Sequence, residues 1–429
     1  MSKRLITRYL SGIVERGTLV VHFADGSCEN FGTPSEHFPD VAIRFVDRKV
    51  SRDILLDPRL GAAEAFMDGR LLVERGGIME LVELLRANTP WDRGGSIGPP
   101  SRLRRWRNRA AFALESVNSR IGSQRNVAHH YDIGNAFYQL MLDHQHMQYS
   151  CAYWDEGVET LAEAQEAKLA HIAAKLALAP GQEVLDIGCG WGGMALYLAH
   201  VADAEVLGVT LSERQLKVAR RRAEILDVSD RVKFELIDYR EVQGKFNRVV
   251  SVGMLEHVGA PYLKPYFLNV RDRLTDDGVA LIHSISTKSP PGYTGPFIRK
   301  YIFPGGYTPS LSETVAAVEP TGLWLLDCEI WRCHYGYTLQ HWRERFLANR
   351  KIAAEVMDER FCRMWELYLS TAERVFLQGS SNVFQLQLGR ERDAVPITRD
   401  YVGAEEARIA SLESEFLERV VSSAAEALG

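Results

Sequence analysis

Residues 183–193 read EVLDIGCGWGG. The apolar run from Val184 to Ile187 suits a short buried strand, and MALYLAHVA (194–202) beyond it suits a helix. Between them, Gly188, Gly190, Gly192 and Gly193 permit a tight turn and let a ligand approach the backbone. The helix that follows offers free N–H groups to an anion. A lone glycine pattern is weak evidence, but its place between strand and helix strengthens it. The same alternation continues outward. LAEAQEAKLAHIAAKLAL (161–178), SERQLKVARRRAEIL (212–226) and YLKPYFLNVRDRL (262–274) read as helices. AEVLGVTL (204–211), RVKFELID (231–238), FNRVVSVGML (246–255) and GVALIHSIS (278–286) read as strands. Strands that are apolar almost throughout, alternating with helices, predict an α/β fold with a doubly wound parallel sheet.

The ligand of the glycine loop follows from where the acids stand. A dinucleotide site expects an acidic residue after the second strand to hold a ribose. Here that strand ends VTLSERQ (209–215), with Thr210 and no acid at its tip. Asp186 precedes the loop instead, and Asp238 follows the third strand in ELIDYRE (235–241). This arrangement resembles motif I of the class I S-adenosylmethionine-dependent methyltransferases. In that family the loop holds the methionine end and the later acid lies by the adenine.

A chain of 429 residues, 46% hydrophobic and 25% charged, is long enough for two or three globular domains. A net charge of −5 argues against a general nucleic-acid binder. The six cysteines show no zinc-type spacing and suit a reducing cytosol. The first residues lack a secretory cleavage pattern, and no run is apolar enough to span a bilayer. Residues 1–92 read as a small α+β domain: a helix from Leu5 to Glu15, a hairpin turning at Asp25-Gly26, a strand VAIRFVD (41–47), then helical text in AAEAFMDGRLLVER (62–75) and IMELVELLRAN (78–88). Residues 93–124 read as a linker with a basic helix, in which Arg102, Arg104, Arg105, Arg107 and Arg109 surround Trp106. Such a helix suits either an anionic lipid surface or plain solvent. Residues 125–429 form the expected catalytic domain.

Six further stretches carry a closer resemblance: NVAHHYDIGNAFYQLMLD (126–143), MQYSCAYW (147–154), GVTLSERQ (208–215), SVGMLEHVG (251–259), YIFPGGYTPSL (301–311) and HYGYTLQHW (334–342). Together they resemble the cyclopropane-fatty-acyl-phospholipid synthases and their mycolic-acid relatives, including the N-terminal domain of the bacterial phospholipid enzymes. The resemblance implies methyl transfer from S-adenosylmethionine to a cis double bond of a phospholipid acyl chain, followed by ring closure. It implies cofactor contacts at Tyr149, Ser150, Asp186, Gly188, Gly190, Thr210, Gln215, Asp238 and Tyr239. It implies a bicarbonate ion as base, cradled by Cys151, Glu256, His283 and Tyr335 as the catalytic set. A carbocation in the chain would be met by aromatic faces, for which Tyr149, Tyr153, Trp154 and Tyr307 are candidates. The implied place of action is the cytoplasmic face of the inner membrane, as a peripheral protein and a homodimer, with no metal and no nucleic acid.

One position departs. In YLSTAERVFLQG (368–379), Ala372 stands where the family often carries a cysteine. This favours one alternative, a methyltransferase that stops at a methyl-branched or methylidene fatty acid; a small-amine N-methyltransferase and a lipid-binding protein with a spent catalytic domain also stay open. Cys151 and His283 also suit ordinary core roles, whereas Glu256 at the end of an apolar strand needs a partner. His257 would point away from Glu256 if the strand continued. His129 and His130 lack matching metal ligands, and no Gly-x-Ser-x-Gly elbow supports a serine nucleophile.

Overall fold

The computed structural model describes residues 2–89, 133–292, 294–412, 420 and 426–427. The basic linker helix and the His129-His130 pair lie outside the described residues. The chain forms two compact units. One holds residues 2–89, 294–304 and 339–380, and the other holds the rest of the described chain.

The first unit opens with α1 (Ser2–Ser11) and a hairpin of β1 (Thr18–His22) and β2 (Cys28–Phe31). The hairpin turns where the sequence predicts. Gly26 takes φ +84°, and Asp25 accepts the Ser27 N–H at 3.0 Å. β3 (Asp40–Phe45) lies parallel to β1, and β4 (Leu71–Arg75) lies antiparallel to β3, giving the order β2-β1-β3-β4. α2 (Lys49–Leu56) and α3 (Pro58–Met67) join β3 to β4, and α4 (Ile78–Asn88) follows. Asp57 caps α3 by accepting the Leu60 N–H at 3.2 Å. The helical reading of residues 62–75 holds only as far as Met67. Gly69 at φ +68° ends the helical path, and LLVER pairs with β3 as a strand.

The second unit carries α5 (Asn135–Gln139), α6 (Leu161–Leu176), β5 (Glu183–Ile187), α7 (Gly193–Val201), β6 (Glu205–Thr210), α8 (Glu213–Ile225), β7 (Val232–Leu236), β8 (Phe246–Val252), α9 (Leu263–Arg273), β9 (Leu274–Thr287), α10 (Leu311–Val318) and β10 (Trp324–Trp331). After α11 (His334–Ala348), α12 (Arg350–Val356) and α13 (Glu359–Gln378), the sheet closes with β11 (Ser381–Gly389), and α14 (Asp400–Ala410) follows. The seven strands run β10-β11-β9-β8-β5-β6-β7. β5 to β9 are parallel, as expected, but β11 is antiparallel to both of its neighbours. Both faces are buried, which explains the nearly continuous apolar strands. Val184, Val250 and Leu281 enter one core layer, while Leu185, Val249 and Ile282 enter the other. The strand order reverses at β5, so the crevice for a ligand opens at its carboxyl end, where the glycine loop lies.

A division at residues 92–125 assigns everything beyond it to the catalytic domain. In the structure, residues 294–304 and 339–380 belong to the first unit instead. Polar ties show the packing of α13 there: Arg360 on Asp68 at 2.8 Å, and Arg374 on Glu83 at 3.6 Å. Ala372 and Cys362 both lie on this helix.

Candidate active site

The glycine loop folds back on β6 because the N–H groups of Gly188 and Cys189 both donate to the Val209 carbonyl, at 2.9 and 3.1 Å. Gly188, Gly190 and Gly192 all take positive φ. At Gly192 a Cβ would come within 2.7 Å of the Phe234 ring, so glycine is required by both backbone and space. A cavity opens over this loop. Tyr149, Ser150, Asp186, Gly188, Gly190, Thr210, Gln215 and Tyr239 all line it. Asp238 does not line it; its carboxylate is held by Arg240, with Nε at 2.8 Å and the backbone N–H at 3.0 Å.

Several buried groups in this cavity are left with something to bind. Asp186 Oδ2 and Gln215 Nε2 are buried with no hydrogen-bond partner. Burial raises the Asp186 carboxyl to about 7 against the pull of Lys168. The Gln215 amide is oriented by Thr210, whose hydroxyl donates to Oε1 at 3.3 Å. Thr210 stands where a dinucleotide site would need an acid, and the two orphaned groups, one acceptor and one donor, suit a ligand with a charged amino-acid end. Opposite sits an aromatic group: Tyr138 meets Tyr149 edge-on at 5.2 Å and Trp191 at 5.3 Å.

Two buried ions fix the segment that presents Tyr149 and Ser150. Asp143 accepts the N–H groups of His146, Met147 and Gln148 at 2.6, 3.0 and 2.8 Å. Arg222, fully buried on α8, donates to the carbonyls of Gln145 at 2.7 Å, Trp191 at 3.0 Å and His146 at 3.4 Å. It therefore ties the glycine loop to the 145–148 segment. One carboxylate and one guanidinium thus satisfy backbone groups that burial would otherwise leave open.

None of the four expected catalytic residues lines this cavity. They fall into two linked pairs. Cys151 is buried, and its thiol donates to the Ala152 carbonyl at 3.3 Å. Burial pushes that thiol well above its ordinary range, so it is protonated at neutral pH. The Ala152 N–H donates to Thr338 Oγ1 at 3.0 Å, one helical turn beyond the buried Tyr335 on α11. Glu256 belongs to the second pair. Its Oε1 accepts the Ile285 N–H at 2.6 Å, two residues along β9 from His283, while Oε2 is buried without a partner. Burial, only partly offset by that N–H, by the residue's own N–H and by the neighbouring Ser284 hydroxyl, raises Glu256 to about 7. The backbone of Tyr307 also reaches it, donating its N–H to the Glu256 carbonyl at 2.8 Å.

His283 is buried, with Nδ1 3.3 Å from Gln385 Nε2 and its ring edge-on to Trp331 at 4.9 Å. Burial holds its imidazole far below the ordinary range, so it is neutral. Lys175 donates to Gln385 Oε1 at 3.0 Å and also pairs with Glu329. An ammonium only donates, so Gln385 must turn its NH2 toward His283. That leaves His283 Nδ1 as acceptor and puts its proton on Nε2. Behind this chain, His171 bridges Glu329 at 2.8 Å and Glu406 at 2.6 Å. Tyr153 stacks on two imidazoles, His171 at 4.6 Å and His334 at 5.0 Å. Of the four aromatic candidates, Tyr149 alone lines the cavity; Tyr307 instead donates its hydroxyl to Glu313 at 2.7 Å.

Sequence reading missed Gln148, Trp191, Met254 and His257, which all line the cavity. A continuing β8 would turn His257 away from Glu256. The strand ends at Val252 and residues 255–257 form a 3-10 turn, which breaks the alternation of faces. Lys168, buried beneath the cavity, was missed as well.

The sequence model of the mycolic acid cyclopropane synthetase family matches residues 118–386. A cyclopropane-fatty-acyl-phospholipid synthase of Escherichia coli is 38% identical over 81% of this chain and 87% of its own length. A probable fatty acid methyltransferase of Pseudomonas putida is 41% identical over 61% of this chain and 68% of its own. Among solved structures, a cyclopropane synthase of Mycobacterium tuberculosis superimposes with a TM-score of 0.59 at 29% identity, covering 62% of this chain and 98% of that one. A mycolic acid cyclopropane synthase solved with SAH and CTAB gives a TM-score of 0.57 at 29% identity, with the same coverage.

Proposed function

Because this chain belongs to the mycolic acid cyclopropane synthetase family and is an S-adenosylmethionine-dependent methyltransferase, we propose that it methylenates cis double bonds in phospholipid acyl chains, giving cyclopropane rings. The observation that carries this reading is Glu256: a carboxyl with one buried, unpartnered oxygen, held near neutrality at the carboxyl ends of the parallel strands. The Escherichia coli relative, whose name states this reaction, supports the choice of substrate.

S-adenosylmethionine supplies an electrophilic methyl group when bound. The cavity residues fit it, with Asp186 and Gln215 offering unpartnered polar atoms to the amino-acid end, and Ile237 and Tyr239 lining the cavity after β7. The alkene is a weak nucleophile, so rigid placement matters more than activation. The π electrons of the double bond would form a bond to the methyl carbon as its bond to sulfur breaks, the pair staying on sulfur to give S-adenosylhomocysteine, and the other alkene carbon would become cationic. Loss of a proton from the new methyl leaves the electron pair that closes the ring. Glu256 Oε2 is the buried atom suited to hold or pass that proton, and neutral His283 can donate from Nε2. Bicarbonate enters the proposal through the family resemblance alone: Glu256, His283, Cys151 and Tyr335 would hold it, and it would supply a base.

A second reading is favoured by Ala372: methyl transfer without ring closure, giving a methyl-branched or methylidene chain. The Pseudomonas putida relative bears a fatty acid methyltransferase name. Action from a membrane surface, as a peripheral protein and homodimer, is part of the proposal; among the described residues no helix is long and apolar enough to cross a membrane. The test uses purified protein, vesicles of cis-unsaturated phospholipid and S-adenosylmethionine with a deuterated methyl. A ring carrying two of the three deuterons supports cyclopropanation. An intact trideuterated methyl branch, or two deuterons on an exocyclic methylidene carbon, supports the second reading, and absence of label from lipid overturns both.

A further inference from the structure

Lys168 has no role in the reading so far, yet it is fully buried on α6. Its Nζ donates to Gln148 Oε1 at 2.5 Å and to Ser150 Oγ at 2.9 Å. Both partners line the cavity. One turn earlier on the same helix, Gln165 donates its amide to the Ser150 carbonyl at 3.0 Å. Ser150 is thus gripped at backbone and side chain by α6.

The grip has a direction. An ammonium can only donate, so the Ser150 oxygen is used as an acceptor and its own hydrogen must be given elsewhere. The Gln148 amide is turned in the same way: Oε1 faces Lys168 and Nε2 donates to the His146 carbonyl at 3.2 Å. Ser150 is left to donate into the cavity, with a positive charge directly behind it. In the same cavity, Asp186 Oδ2 is a buried acceptor without a partner and Gln215 Nε2 a buried donor without one. One donor backed by a cation, Ser150, and a second, Gln215 Nε2, beside a lone acid complement an α-amino-acid end: carboxylate toward Ser150, ammonium toward Asp186. Burial lowers the Lys168 ammonium to about 7, against the pull of the nearby Asp143 and Asp186 carboxyls.

We propose that Lys168 is a positioning residue that sets the cavity's recognition of a ligand carboxylate, by fixing Ser150 as a donor and placing buried positive charge behind it. The inference rests on the reading of this cavity as the S-adenosylmethionine site. It is tested by calorimetric titration of the full-length protein with two ligands. S-adenosylhomocysteine has the amino-acid end; 5′-methylthioadenosine keeps the adenosine and thioether but lacks it. Lys168→Met is expected to weaken S-adenosylhomocysteine about 10- to 100-fold, the loss of a charge-backed hydrogen bond, and to change methylthioadenosine less than about twofold. Ser150→Ala, which leaves Lys168 in place, is expected to show the same selective loss and serves if Lys168→Met does not fold. Equal weakening of both ligands, or no weakening of S-adenosylhomocysteine in either variant, overturns the proposal. A wild-type protein that binds neither ligand overturns the cofactor reading, and this inference with it.

Discussion

Replacing Glu256 with Gln should make the protein more stable in base and less active at once. The carboxyl rises from its ordinary 4.5 to about 7 because burial disfavours its charged form. The folded protein therefore holds this proton more tightly than the unfolded chain does. Its contribution to stability is complete below about pH 4.5 and is lost as pH climbs through about 7. The whole displacement corresponds to about 3 kcal/mol, of which about 2 kcal/mol falls between pH 5.5 and 8.5. Glutamine keeps an acceptor for the Ile285 N–H, now at 2.6 Å, and does not titrate. It also leaves a buried amide NH2 where Oε2 had no partner, a cost of about 1–3 kcal/mol that does not vary with pH. The decisive quantity is thus the pH dependence of the difference between variant and wild type. Urea unfolding at pH 5.5 and 8.5 should show that difference moving by about 2 kcal/mol in favour of the variant at high pH. Turnover on phospholipid vesicles should drop by about 100-fold or more, while S-adenosylmethionine affinity stays within about threefold, since Glu256 does not line the cofactor cavity. Parallel pH curves would refute the buried, raised carboxyl. Lost cofactor binding would refute its placement apart from the cofactor.

His283 should remain neutral with its proton on Nε2 at pH 7, visible in the nitrogen shifts of labelled histidine. Gln385→Leu, which removes the Nδ1 partner at 3.3 Å, should release the other tautomer. Arg222→Met strips three buried carbonyls of their donor and should cost about 3 kcal/mol or more in urea unfolding, with cofactor affinity falling in parallel. Gly192→Ala places a Cβ 2.7 Å from the Phe234 ring at φ +84° and should destabilise by more than about 1 kcal/mol, measured the same way.

The parallel core of the sheet was legible because strands buried on both faces advertise themselves as unbroken apolar runs. Likewise, the glycine loop was legible because its geometry admits few other residues. β10 and β11 were not. β10 is an edge strand with Trp324 and Leu325 exposed, and β11 is separated from it by some fifty residues of helix, so neither alternates with helices in the way that signals a parallel sheet. LLVER was misread because its neighbours are strong helix formers and the interruption rests on one glycine. α6 hid its contribution for another reason. Gln165, Lys168, His171 and Lys175 recur at helical spacing, a pattern that ordinarily marks a solvated face, yet all four are buried. Their partners come from distant parts of the chain, and no local pattern reveals them.

That buried polar stripe on α6 also constrains the order in which the protein can assemble. Lys175 meets Glu329 and Gln385 at sequence separations of 154 and 210 residues, and His171 meets Glu406 at 235. Packing α6 on the sheet before those partners arrive would bury a cation with no counter-charge, which is strongly unfavourable. Loop closure over such distances is slow. The nascent catalytic unit must therefore keep α6 hydrated until β11 and α14 have been synthesised. Its final compaction waits for Glu406, and truncation before that residue should trap it as a loosely packed intermediate.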